Sequence, residues 1–212
     1  MSIVGFVGFI GSGKGSAGDI LVKWGYKRDA FANPVKDACA AIFGWPRALL
    51  EGDTPQSRAF REEPDAFWSQ VVGRDFTPRE ALQKMGTEAG RNVYHSDLWT
   101  KALERRILAL QDEDEKVNVV VTDVRFNNEA KMIRELGGYV VEIQRGTPPE
   151  WYGYALELNE DNNWDGTVQK MDAYPHIHYS EFAWVGSPEI THTIQNDGDL
   201  KDLERELTKL LI

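Results

Sequence analysis

A glycine-rich loop near the amino end constrains this chain more than any other feature. It reads Gly8-Phe9-Ile10-Gly11-Ser12-Gly13-Lys14-Gly15-Ser16, after the apolar run Ser2-Ile3-Val4-Gly5-Phe6-Val7 and before Ala17-Gly18-Asp19-Ile20-Leu21-Val22-Lys23-Trp24. The apolar run predicts a buried first strand and the segment after the loop a helix. At such a joint the backbone N–H groups of Gly11, Ser12, Gly13, Lys14, Gly15 and Ser16 turn inward around an anion, with the helix N-terminus behind them and Lys14 as a mobile cation. The spacing Gly8-x4-Gly13-Lys14 fits the Walker A pattern and predicts a nucleoside triphosphate as ligand. Gly15 stands where most such loops carry Ser or Thr, so the hydroxyl that could reach magnesium is displaced to Ser16. The alternative is a ligand-free turn, which needs these glycines and the lysine to meet at this spacing by accident.

The rest of the chain bounds what such a loop can serve. At 212 residues it predicts one domain, or one core with an insertion. No apolar run approaches a membrane span, and the amino end lacks a basic region followed by a cleavage site, so a soluble, cytoplasmic protein with no membrane partner is expected. Cys39 is the sole cysteine, which excludes an internal disulfide or a cysteine zinc cluster. A formal charge of −10 argues against direct nucleic-acid binding, but it allows a small anionic substrate held by a few converging cations. Candidates are Lys14, Lys36, Arg91, Arg125 and Arg145.

Beyond the first helix, residues 25–31 fit a short second strand, and Pro34 starts a helix through Ile42 closed by Gly44. Residues 45–76, broken by Pro46, Pro55 and Pro64, read as irregular cover with short helices. Thr77-Pro78-Arg79-Glu80 is a capping box that opens a helix to about Asn92, and another helix runs from Ser96 to about Gln111. Val117-Asn118-Val119-Val120-Val121 reads as a strand buried on both faces and ending in Thr122-Asp123. A helix over 126–136, a strand over 139–143, a strand over 190–194 and a final helix after Gly198-Asp199 complete the series. Strand–helix–strand order with short joints predicts parallel pairing and an α/β fold. Residues 145–188 break the rhythm with four prolines and eight aromatics, the composition of a lid or binding loop with partial order. His176, His178 and Glu181 could suggest a metal site, but no third nitrogen or sulfur ligand has recognisable spacing.

Several segments together resemble the bacteriophage deoxynucleoside monophosphate kinases. Lys14-Gly15-Ser16 matches the Gly-Lys-Gly-Ser form common in adenylate kinase-like enzymes. Ala32-Asn33-Pro34-Val35-Lys36-Asp37-Ala38 is similar to the family's proline-lysine segment, and Gly86-Thr87-Glu88-Ala89-Gly90-Arg91 to its Gly-Thr-Glu-x-Gly-Arg element. Thr122-Asp123-Val124-Arg125 resembles its Walker B end, Gln144-Arg145-Gly146 the segment after the fourth strand, and His178-Tyr179-Ser180-Glu181 and Ile194-Gln195-Asn196-Asp197-Gly198 its closing elements. The resemblance implies a three-layer P-loop kinase fold with a five-stranded parallel sheet in the order 2-3-1-4-5. It also implies an acceptor-binding insertion at about 45–112 and a lid-like insertion at about 145–188. The activity implied is phosphoryl transfer from magnesium–ATP to a 2′-deoxynucleoside monophosphate, in a host cytoplasm if the chain is phage-encoded.

Each site residue then has a functional and a plain reading. Lys14 is placed for the donor's β and γ phosphates. Asp123, at a strand's carboxyl end, either serves magnesium, through water and with Ser16 as a second contact, or caps the next helix. Arg125 either holds the acceptor phosphate, or bridges donor and acceptor, or is a surface arginine. Lys36 is an acceptor contact or a solvated side chain; Glu88 and Arg91 either pair with each other or line the acceptor pocket. Arg145 is a candidate lid arginine. Two other functions remain compatible: a kinase for another small acceptor such as dephospho-coenzyme A, and a nucleotide-dependent switch. Base choice and oligomeric state stay open, a homodimer through exposed aromatics being compatible with the sequence.

Overall fold

The structure, a computed structural model, describes residues 2–161 and 171–211. The chain divides into two compact units, Met1–Ala30 with Ile107–Ile212, and Phe31–Arg106. The helices are α1 (Lys14–Lys23), α2 (Asn33–Phe43), α3 (Pro55–Glu62), α4 (Ala66–Val72), α5 (Pro78–Lys84), α6 (Leu98–Glu113), α7 (Asn127–Glu135), α8 (Tyr152–Asp161) and α9 (Leu200–Leu211). The strands are β1 (Ile3–Val7), β2 (Lys27–Asp29), β3 (Val119–Val121), β4 (Tyr139–Gln144) and β5 (His192–Gln195).

The first unit holds one sheet in the order β2-β3-β1-β4-β5, and every neighbouring pair is parallel. Strands β1 and β3 are uninterrupted apolar runs because both faces are covered, whereas β4 buries Glu142 among its apolar residues. Val4 and Phe6 of β1, Val120, Val141 and Ile143 share one core with Ala17, Ile20 and Leu21 of α1 and Leu203 and Leu207 of α9. On the alternate face, Ile133 of α7 approaches Gly5 so closely that a side chain at residue 5 would strike it. Helices on both faces make three layers. At the carboxyl ends of adjacent strands the chain leaves β3 into Thr122-Asp123, β1 into the glycine loop, β4 into Arg145 and β5 into Asn196. A parallel sheet opens its ligand crevice along that edge.

The second unit is helical. A core of Val35, Cys39, Trp45, Leu50, Phe76, Ala81 and Trp99 holds it together. Phe43 stacks on Trp45 at 4.6 Å between ring centres and meets Trp68 edge-on at 5.1 Å. Each indole N–H has an acceptor: Trp45 donates to Asp65 Oδ2 (2.8 Å), Trp68 to Phe43 O (2.9 Å) and Trp99 to Gly86 O (2.7 Å). Large rings thus bury their area without leaving a polar atom unsatisfied. The short helices over 47–72 also have firm starts. Thr54 and Ser57 cap α3 reciprocally, and Asp65 accepts the Trp68 N–H at the start of α4.

The helix expected to run unbroken from Pro78 to about Asn92 changes pitch. After α5 the backbone widens into a π-helix over Met85–Tyr94. Trp99 accounts for the change locally. Its ring lies against Gly90, where a Cβ would collide with it, and its N–H takes the Gly86 carbonyl. Wide turns of this type recur at functional sites. The segment 145–188 contains α8, a short 3-10 turn at Tyr179–Glu181 and an aromatic cluster; residues 162–170 of the expected lid lie outside the described residues. Among the described residues no helix is long and apolar enough to cross a membrane.

Candidate phosphate-binding site

The site is built on the turn between β1 and α1. Gly8, Gly11 and Gly13 all have positive φ (140°, 81° and 107°), a region that L side chains rarely adopt. At Gly8 and Gly13 space is also lacking, since a Cβ would meet Ile143 O at the first and Asn196 Nδ2 at the second. The helix begins at Lys14, so Lys14, Gly15 and Ser16 form its first turn, where N–H groups have no partner within the helix. Ser12 is buried and its Oγ has no hydrogen-bond partner. The Ser12 N–H is taken by Phe9 O at 3.1 Å, so the groups left for a ligand rich in oxygen acceptors are the buried Ser12 hydroxyl and the first-turn N–H groups of α1.

Lys14 lies folded over its own loop. Its Nζ donates to Gly8 O (2.5 Å) and Phe9 O (2.8 Å). Burial, with the positive charge of Arg125, lowers its pKa from 10.5 to about 8, while Glu181 pulls in the other direction. Lys14 borders two recesses. One, about 370 Å³, is lined by Gly11, Gly13, Gly15, Ser16, Thr122 and Arg145. The other, about 70 Å³, is lined among others by Thr122, Asp123, Arg125, Ser180, Glu181 and Trp184. The structure therefore brings Asp123 and Arg125, past the end of β3, and Arg145, past the end of β4, to the loop that carries Ser16.

Arg125 is ion-paired. Its Nη1 lies 3.1 Å from Glu181 Oε1 and 3.2 Å from Ser180 Oγ. The backbone beneath it is set by Glu129, a buried carboxylate whose Oε2 accepts the N–H groups of Arg125 (2.8 Å) and Phe126 (3.2 Å). Helix α7 starts at Asn127 with Phe126 as its N-cap, so Asp123 is not the cap of that helix. Arg145 is flanked by fixed peptides, because Gln144 O accepts from Asn196 N (2.7 Å) and Gly146 N donates to Asp197 Oδ1 (2.7 Å). The Gly146 N–H and the Gln195 amide, with Arg145 nearby, hold the Asp197 carboxyl below its usual range.

Phe9 carries the aromatic segment onto the loop. Its ring lies 5.0 Å from Trp184, 5.3 Å from Trp151 and 6.0 Å from Tyr152. These aromatics pack among themselves.

Among the described residues no group of three or more His, Cys, Asp or Glu side chains could hold a metal ion alone. Asp123 lines the smaller recess and Ser16 the larger one, each offering a hard oxygen of the kind that magnesium takes alongside water and phosphates. His178 is occupied otherwise, its Nδ1 lying 2.9 Å from Ser180 Oγ.

The remaining candidates belong to the second unit. Lys36, at the start of α2, is not solvated: its Nζ lies 2.6 Å from Glu51 Oε2 and its side chain is only 14% exposed. Arg47 also pairs with Glu51, and with Asp37 at 2.6 Å. Burial pushes the Glu51 carboxyl up, but Lys36 and Arg47 outweigh it and hold it below its ordinary value. Glu88 is exposed and Arg91 half-buried on the π-helix. A Cβ at Gly86 would lie 3.9 Å from Val35, the residue before Lys36, so this helix and the start of α2 adjoin.

Reading the residues one by one misses Glu181, Ser180, Glu129 and Asn196 as contributors. Glu181 meets Arg125 across 56 residues and Asn196 meets Ser12 across 184, contacts that no local pattern encodes. The signal within reach was Glu129, four residues after Arg125 at the start of a helix.

No family model matches the chain. A protein of Acanthamoeba polyphaga mimivirus, named provisionally a deoxynucleotide monophosphate kinase, is 33% identical over 153 residues, which cover 68% of this chain and 75% of that protein. The deoxynucleoside-5′-monophosphate kinase of Escherichia phage T5 is 34% identical over 91 residues, 43% of this chain and 33% of that enzyme. Among solved structures, a dephospho-CoA kinase from Campylobacter jejuni aligns over 99% of this chain and 95% of its own at 16% identity and a TM-score of 0.45. A shikimate kinase from Acinetobacter baumannii aligns over 100% and 93% at 15% identity and a TM-score of 0.43. With the five-stranded parallel sheet and the glycine loop in place, the similarity to the mimivirus protein decides the assignment: the chain belongs to the deoxynucleoside monophosphate kinase family and is a phosphotransferase.

Proposed function

We propose that the protein transfers the γ-phosphoryl group of ATP to the 5′-phosphate of a 2′-deoxynucleoside monophosphate, giving ADP and a deoxynucleoside diphosphate. The observation that carries this reading is the convergence of Lys14, Asp123, Arg125 and Arg145 on one glycine loop, in a chain of this family. An acceptor phosphate oxygen attacks the γ-phosphorus and the bond to the β,γ-bridging oxygen breaks. That step needs alignment and charge neutralisation more than covalent help.

The N–H groups of Gly11 and of Gly13 to Ser16 supply fixed dipoles for the triphosphate, while that of Ser12 is held by Phe9 O. Lys14 exchanges its two carbonyl partners for the β and γ phosphates and moves with the transferred group. Arg125 neutralises the same group from the side of Asp123, its planar fork suited to two phosphate oxygens. Arg145 closes the triphosphate recess. Asp123 and Ser16 would hold magnesium, which would supply positive charge to offset that of the phosphates. In the second unit Lys36, Glu88 and Arg91 bind the acceptor.

The test is ADP formation from ATP and magnesium against a panel of deoxy- and ribonucleoside monophosphates, 5-substituted deoxyuridylates included. Turnover with one or more deoxynucleotides supports the reading. Acceptor-independent hydrolysis, or no turnover with any acceptor, overturns it.

A further inference from the structure

Asn196 lies just past β5 and is 6% exposed, yet it does not line either recess at Lys14. Its side-chain Nδ2 donates to Ser12 O at 2.8 Å, and its backbone N–H donates to Gln144 O at 2.7 Å. The second bond fixes Asn196 to the sheet, and the first carries that fixity into the glycine loop. The peptide joining Ser12 to Gly13 is planar and trans, so its C=O and N–H point in opposite directions. Holding the Ser12 carbonyl toward β5 therefore aims the Gly13 N–H away from the sheet edge, into the ring that faces the anion. Gly13 is the partner in this arrangement, because a Cβ there would strike the Asn196 amide.

We infer that Asn196 is a positioning residue for the phosphate loop: through the Ser12 carbonyl it sets the direction in which the loop presents its N–H groups to a polyphosphate. The inference rests on the reading of that loop as a triphosphate site. Removing the amide leaves a buried carbonyl unpartnered, and replacing it by a carboxylate sets two acceptors against each other, so the peptide rotates in both cases.

The test uses inorganic tripolyphosphate with the full-length protein, measured by calorimetry at pH 7 without an acceptor. Asn196→Ala is expected to bind about tenfold more weakly than wild type, and Asn196→Asp more weakly still. Near-UV circular dichroism at the assay temperature establishes that each variant is folded. A second measurement uses the wild-type protein alone: the Asn196 side-chain amide protons should exchange slowly with solvent before any ligand is added. Folded variants that bind tripolyphosphate within twofold of wild type overturn the inference, as does exchange at the rate of an exposed amide. A wild-type protein that ignores tripolyphosphate overturns the loop reading itself, a result distinct from either of those.

Discussion

Lys14 of the first unit and Lys36 of the second are held in opposite ways. In the first, Lys14 gives up much of its preference for the charged state by lying in a partly buried, glycine-lined loop, with backbone carbonyls as its direct partners and Glu181 acting from a distance. In the second, Lys36 and Arg47 share Glu51 and are compensated before any ligand arrives. The first arrangement stores unfavourable charge where a polyanion can relieve it. The second holds a geometry. A ligand phosphate gains most where the cation is underpaired, so the donor site should respond to single changes far more sharply than the second unit does.

The largest expected effect comes from Lys14→Met, which should lower kcat by on the order of 10²–10³ or more. Thermal unfolding near pH 7 should show a midpoint equal to or above wild type. The sign follows from linkage. With a folded pKa near 8 against 10.5, the unfolded chain binds more protons between those values, so this group favours folding only as pH rises through that window and costs stability below it. A variant that lost both activity and stability would break the contrast.

Leu50→Ala probes the second unit's means of support, since Leu50 is fully buried among its aromatic rings. The expected loss is about 2–5 kcal/mol in denaturant unfolding. A loss under about 1 kcal/mol would mean that this core is looser than its packing implies.

The pH response is smaller. Tripolyphosphate affinity should be flat from about pH 6.5 to 7.5 and fall as Lys14 deprotonates above about 8, approaching tenfold per pH unit before other contacts take over. Flat affinity to pH 9.5 would show that the ammonium does not grip the ligand.

The smallest effect should come from Glu51→Gln, which removes the shared carboxylate from Lys36 and Arg47. A rise of a few fold in acceptor KM with unchanged ATP affinity is the expected outcome, read in steady-state kinetics. A change in ATP affinity instead would dissolve the distinction between the units.

The same contrast governs what could be read from residues alone. In the first unit, long-range order follows local pattern: apolar runs of β1 and β3, a turn that only glycine can make at Gly8 and Gly13, and a strand end at Asp123. Parallel pairing and the candidate phosphate loop were therefore legible, while the strand order came only with the family resemblance, and β2 proved shorter than residues 25–31. In the second unit the organising contacts are rings separated by tens of residues. Phe43, Trp45, Trp68 and Phe76 gather the stretch that reads as irregular cover, and the reciprocal cap of Thr54 and Ser57 lacks the Glu or Gln that marks a capping box in sequence. At Thr77 the expected box is half formed: Thr77 Oγ1 accepts the Glu80 N–H, while Glu80 pairs with Arg74 and Lys84. The pitch change after Met85 depends on Trp99, nine residues beyond Gly90, and local propensity cannot register it. Partners such as Glu181 for Arg125 and Asn196 for Ser12 were illegible for the same reason.

The most direct test of the central claim follows the phosphoryl group itself. Incubation with γ-labelled ATP, magnesium and each deoxynucleoside monophosphate should place the label on a deoxynucleoside diphosphate, and Lys14→Met should abolish that product while remaining folded. Label found only in inorganic phosphate, or undiminished label transfer by the Lys14→Met protein, would contradict the account.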